Sequence, residues 1–146
     1  MNKKNIFLVL FLLVGVGAFL AYKFVNKASQ DFANKKPSAV FSMNDLIEKT
    51  NTDTAALSQM KEKLIAVNGT VKKISKESTA ISIELGDTTT TSSIICQVDN
   101  RYLTDFSNLK ENESIKLKGV LRGYTIDTDL GLGNTIELNY CTLNKE

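Results

Sequence analysis

The sequence predicts a mainly β protein: a five-stranded Greek-key barrel with a helix between strands 3 and 4, a short helical lead-in and an N-terminal transmembrane helix. Three observations carry that expectation. An unbroken apolar run occupies Ile6–Tyr22. From Leu64 onward the hydrophobic period becomes two. Helical spacing then returns once, after Asp99, between the third and fourth alternating segments.

The apolar run is flanked by Lys3 and Lys4 before it and Lys23 after it. Its seventeen residues span about 25 Å as a helix, against a hydrocarbon core of about 30 Å. Phe24 and Val25, with Lys23 snorkelling to the interface, bring the length close to sufficient. Val16 and Ala18 offer a cleavage site, but it falls inside the apolar run, so an uncleaved anchor is expected rather than a removed leader. If the leader were cleaved, the remainder would be secreted. The bilayer partner is therefore residues 6–25, with the N-terminus inside and the C-terminal domain outside.

Charge divides the chain. Residues 1–36 carry six Lys and one Asp, hence +5, whereas the remainder carries 12 basic and 15 acidic residues, hence −3. The slightly basic whole-chain balance belongs to the anchor and stalk, and a polyanion-binding body would normally show the opposite sign. The expected organisation is anchor 1–25, polar stalk 26–37, helical lead-in 38–63 and barrel 64–146.

In the lead-in, Ser42 is placed to cap a helix with Asp45 three residues on. Asn51-Thr52-Asp53-Thr54 interrupts that helix and starts a second one, Ala55 to Lys63. The first long strand holds Ile65, Val67 and Val71, with Gly69 expected to bend or bulge it. Ile81, Ile83 and Leu85 form the second strand, and Ile94, Cys96 and Val98 the third. After Asp99 as a cap, Tyr102, Leu103, Phe106 and Leu109 recur at helical spacing, placed to plug an open barrel end. Ile115, Leu117, Gly119 and Leu121 form the fourth strand; Ile136, Leu138 and Tyr140 begin the fifth, with a bulge expected near Cys141. This order is that of an OB-fold.

The residues also carry a family likeness. Leu64-Ile-Ala-Val-Asn-Gly-Thr-Val71, Ile115-Lys-Leu-Lys-Gly119, Gly123-Tyr124 with Asp127, and Leu138-Asn-Tyr-Cys141 together resemble the tRNA anticodon-binding-like OB-fold family of small exported or membrane-anchored bacterial proteins. The resemblance spans roughly residues 40–144 and implies an OB barrel with a helical lead-in, often behind a membrane segment. The layout is also similar to a membrane-tethered OB-fold haem chaperone, but that family attaches haem through a His.

Chemistry is sparse. The chain has no His, which removes the commonest general base and metal ligand, and its two Cys are too few for a four-thiolate zinc site or an iron–sulfur cluster. No catalytic constellation, metal site or cofactor is expected. Single strands bind OB-folds on the outer face of strands two and three through aromatic stacking and basic side chains. Here Ser82, Glu84, Ile95 and Gln97 are assigned to that face, with neither an aromatic nor a cation among them. Lys72, Lys73, Lys76, Lys116, Lys118 and Arg122 form either one positive stripe or a solvated edge. Cys96 and Cys141 fall on neighbouring strands. They are either a disulfide, worth about 4 kcal/mol for a loop of about 46 residues, or two buried thiols.

Asp127-Thr-Asp129-Leu-Gly131-Leu-Gly133-Asn134 lacks the ligands of a calcium loop at its fifth and twelfth positions. It reads as the loop between strands four and five, with Tyr124, Asp127, Asp129 and Asn134 as contact candidates. The functional expectation is a binding module for a protein or envelope component, and not an enzyme. Nucleic acid is not the expected partner. The alternatives are single-strand binding by the barrel, and small-molecule or cation binding at that loop.

Overall fold

The computed structural model describes residues 15–17, 30–127, 131 and 133–145. Its contacts divide the chain into Met1–Asp31 and Phe32–Glu146; the fold below is that of the second unit. The expected anchor over residues 6–25 lies, apart from 15–17, outside the described residues, as does Asp129. No helix among the described residues is long and apolar enough to cross a membrane.

The elements are β1 (Ala39–Ser42), α1 (Met43–Thr52), α2 (Thr54–Met60), β2 (Leu64–Lys76), β3 (Ile81–Gly86), β4 (Ser93–Val98), a 3₁₀ helix (Asn100–Phe106), β5 (Ser114–Thr125) and β6 (Thr135–Leu143). Strands β2 to β6 close on themselves in the order β2-β3-β4-β6-β5, with β5 returning to β2. Parallel pairing joins β4 to β6, and the remaining barrel pairs are antiparallel. This is the five-stranded OB-fold barrel that the alternation predicted. Ile65, Val67, Ile83, Leu85, Ile94, Leu117, Ile136 and Leu138 are fully buried inside it.

The lead-in helices follow their local signals. Ser42 Oγ accepts the Asp45 amide at 3.1 Å, capping α1. Asp53 then accepts the Ala56 amide at 3.0 Å and caps α2, while its own amide closes α1 on the Lys49 carbonyl. Leu46 and Leu57 are buried.

Three details depart from the expectation. Residues 39–42 form a strand, β1, running parallel to Ile65–Asn68 of β2. The plug after Asp99 is a 3₁₀ helix broken at Tyr102 (φ −122°, ψ 19°) rather than a regular α-helix, although Phe106 is buried and Leu103 and Leu109 pack partly against the core. Gly69 is not the bulge. It pairs regularly with Ile115, and the register shift falls between Val71 and Lys73. A Cβ on Gly69 would lie 3.1 Å from Met43 Cβ, so the bare backbone there admits α1.

The β6 bulge does occur. Register shifts between Cys96 and Val98 on β4, and between Lys118 and Val120 on β5, both fall opposite it. Tyr140 there takes φ 56°.

Candidate functional site

Three regions of the barrel surface hold the expected site residues, and the chain builds each differently. On the outer face of β3 and β4, Ser82 is paired with Gln97 and Glu84 with Ile95. Gln97 Nε2 donates to Ser82 Oγ at 3.3 Å, and Lys72 lies 3.5 Å from Glu84 while donating to the Thr90 carbonyl. At the adjoining turn, the Thr89 amide and hydroxyl hold the Asp87 carboxyl below its usual value. The four assigned positions thus form one face, on which Ser82, Gln97 and Glu84 find partners within the protein and Ile95 is apolar.

The six basic residues do not act as one stripe. Lys76 donates to the Ser107 carbonyl at 2.9 Å and Arg122 to Glu62 at 2.9 Å. Lys118 is buried, contrary to its expected place on an exposed outer edge, and donates to the Lys35 carbonyl at 3.0 Å. Residues ahead of β1 lie over β5, and this is why a strand position that alternates outward is still covered. Of the six, Lys73 and Lys116 have no partner among the described residues.

The loop between β5 and β6 is held by Asn134. Its Nδ2 donates to Thr50 Oγ1 at 2.5 Å and Asn51 Oδ1 at 2.7 Å, while its Oδ1 accepts the Asp127 amide at 3.2 Å. Gly131 and Gly133 take the positive φ expected of that loop. Asn134 is buried, and its polar side-chain atoms are committed to the protein. It fastens the loop to the end of α1 rather than offering itself to a ligand.

Tyr124 takes part in a cleft. Its hydroxyl lies 3.0 Å from Ser58 Oγ and 3.3 Å from the Thr54 carbonyl, joining β5 to α2. Beside it, Leu57, Ser58, Lys61, Leu121 and Gly123 line a cleft of about 310 Å³. Leu57 and Leu121 are buried and form its floor, with hydroxyls and the Lys61 ammonium above. Sequence reasoning found Tyr124 but not its α2 partners, because the helix that brings Ser58 and Lys61 carries no motif. Among the described residues no three His, Cys, Asp or Glu come together to hold a metal.

Cys96 and Cys141 are free and buried in the structure, the second of the two arrangements open to them. Burial pushes the Cys141 thiol well above its ordinary value, and the neighbouring Cys96 thiol adds to the shift by hydrogen bonding and charge. Cys141 donates to the Leu138 carbonyl at 3.5 Å.

An aromatic pair missed by the sequence reading stands elsewhere. Phe32 and Tyr140 lie with ring centroids 5.9 Å apart at 32°, and Lys35 Nζ sits 5.1 Å from the Phe32 centroid. The argument against nucleic acid rested on an aromatic-free face of β3 and β4. That face is indeed free of aromatics, but rings and cations meet on another.

A model of the tRNA_anti-like family matches residues 1–131. No curated protein matches the chain. Among solved structures, a "putative nucleic acid-binding lipoprotein" from Klebsiella pneumoniae is 13% identical and superposes with a TM-score of 0.55 over 80% of this chain and 99% of that one. An aspartyl tRNA synthetase from Entamoeba histolytica is 8% identical, with a TM-score of 0.45 over 77% of this chain and 22% of that one. An OBody bound to hen egg-white lysozyme is 13% identical, with a TM-score of 0.43 over 58% of this chain and 84% of that one. The likeness to the Klebsiella protein shows a shared fold.

Proposed function

Since the chain belongs to the tRNA_anti-like family, we propose that it is a membrane-anchored, extracytoplasmic OB-fold module that binds a protein or another envelope component and catalyses no reaction. The observation that carries this reading is the cleft beside Tyr124. It combines an apolar floor from Leu57 and Leu121 with the Ser58 and Tyr124 hydroxyls and the Lys61 ammonium at its rim. A cleft of that kind takes an apolar side chain and orients it by a few polar contacts, the usual economy of a recognition site. The apolar run Ile6–Tyr22 supplies the anchor, and the acidic remainder supplies a body with no general attraction to anionic surfaces.

The test is site-specific photocrosslinking in native membranes with a crosslinking residue in place of Lys61. A defined adduct is expected, lost when Tyr124→Ala opens the β5–α2 junction, and absent when the crosslinker replaces the exposed Thr88 instead. The same adduct from both positions, or persistence in Tyr124→Ala, defeats the assignment of the cleft. A second reading, single-strand binding, draws on the printed description of the Klebsiella protein and on the rings at β6; it concerns a different face.

A further inference from the structure

We infer that the open edge of β1 is a docking site for an extended polypeptide segment of a partner protein, one in which basic and apolar residues alternate. It is a second surface, lined by residues other than those of the Tyr124 cleft, and it stands whether or not that cleft is occupied. β1 is four residues long and pairs with β2 alone. The other side of a strand so placed presents amides and carbonyls that no neighbouring strand satisfies. Among the described residues, no turn or loop supplies a backbone bond to Ala39, Val40 or Phe41. Val40 is 59% exposed, and the strand carries no charge, proline or bulge, the usual guards of an open edge.

The two faces beside that edge differ. Phe41 is paired with Val67 of the core, and Val40 with Ala66. Phe41 packs partly against the core, so Val40 lies on the outer face, as alternation requires. On the core side Phe41 is joined by Asp45, Glu48, Lys49 and Thr52 of α1, and the five residues line a groove of about 410 Å³. Asp45 and Glu48 are exposed and stand one helical turn apart, a separation of about 5–6 Å. Neither carboxylate belongs to the ion pairs found among the described residues. With Lys49 offsetting one of them, the groove keeps one negative charge in excess.

An added strand continues the ladder through its main chain, and its successive side chains fall to opposite faces. Those on the core side recur about every 6.7 Å, close to the spacing of Asp45 and Glu48. A Lys or Arg there lays its methylenes on the Phe41 ring and carries its charge to a carboxylate. The residues between fall beside Val40, where an apolar side chain is covered and a charged one is not. This is how charge and edge together select the occupant. A second copy of β1 would pair the edge but bring no cation to Asp45 and Glu48. Nucleic acid has no alternating amide and carbonyl for the ladder, and the two carboxylates repel its phosphates.

The test is fluorescence anisotropy with the full chain in a nonionic detergent and a labelled Lys-Val-Lys-Val-Lys-Val peptide, beside its block isomer Lys-Lys-Lys-Val-Val-Val. The alternating peptide is expected to bind and the isomer, equal in charge and composition, to bind much less. Hydrogen exchange should show new protection at amides of residues 39–42 in the complex. Val40→Lys sets a cation on the edge and should abolish binding. Glu48→Lys, at a side chain outside the ion pairs above, should weaken it about fivefold, and both variants should keep the parent's thermal midpoint. Tyr124→Ala should leave peptide affinity in place, so failure of the cleft and failure of the edge are told apart. No binding by the parent, equal binding of the two isomers, unchanged affinity in Val40→Lys, or binding without protection at residues 39–42 would each overturn the inference. So would a parent dimer that Val40→Lys splits into monomers, since the edge would then belong to a second copy.

Discussion

Gly119 shows how one missing methyl shapes the barrel seam. A Cβ there would sit 2.6 Å from Cys141 Sγ and 3.2 Å from the Asn139 carbonyl oxygen. Both groups belong to the bulged part of β6, so neither moves away without disturbing the pairing of β5 with β6. Gly119→Ala is expected to destabilise by about 1–3 kcal/mol, the usual cost of overpacking, read as a lower urea midpoint at unchanged slope. The same cysteine makes stability depend on alkaline pH. Its folded-state pKa is raised well above the ordinary value, so the protonated thiol favours the folded state. That contribution is complete below the unfolded thiol's pKa of about 8.5, and is lost as pH rises toward the folded value. In reductant, the difference in unfolding midpoint between the parent and Cys141→Ala should narrow as pH rises from 8 to 10. A pH-independent difference would remove the burial argument. Alternation alone placed Cys96 and Cys141 on neighbouring strands and foresaw the bulge. It did not foresee that Tyr140 would turn outward onto Phe32, because that pairing joins residues 108 positions apart.

At the scale of elements, legibility follows the range of the interactions. The caps at Ser42 and Asp53 are three-residue contacts, and the spacing of the side chains sufficed to find them. β1 escaped because Ala39–Ser42 is too short to declare a period and owes its strand conformation to hydrogen bonding with β2. The 3₁₀ helix has the apolar spacing of an α-helix over few residues, so spacing alone does not announce the break at Tyr102. Asn134 is a case of a loop residue whose role no local pattern announces. It was a contact candidate by position, yet it bridges the β5–β6 loop to α1 through Thr50 and Asn51. Asn134→Ala leaves Asn51 Oδ1 and the Asp127 amide without their present partners. A loss of about 1–3 kcal/mol is expected for such uncompensated groups, together with faster hydrogen exchange at the Asp127 amide. Unchanged stability would mean that the loop is held by other contacts.

For the whole molecule, the barrel was legible because period-two alternation and a single helical interlude leave few ways to close a sheet of this length. The cleft and the ring surface were not, since each is assembled from elements distant in sequence, α2 with β5 and residues 32–35 with β6. The proposed setting at the membrane rests on charge and hydropathy together. Six of the chain's 18 basic residues fall within residues 1–36, on either side of an apolar run, while the rest of the chain is net acidic. Lys3 and Lys4 precede the run and Lys23, Lys27, Lys35 and Lys36 follow it, so the distribution of positive charge does not by itself favour an inside N-terminus. The proposed orientation, with the N-terminus inside, puts the long acidic body outside. A reporter active only outside the cytoplasm, fused after Glu146, should therefore be active, and the fusion should remain with membranes after alkaline extraction. Replacing Val9 and Leu13 with Lys should release the fusion into the soluble fraction and silence the reporter, since each cation near the centre of the run costs about 2.5–3.5 kcal/mol of insertion. Activity from a cytoplasm-specific reporter in the unaltered fusion would reverse the orientation, and with it the proposal that the cleft faces an envelope partner.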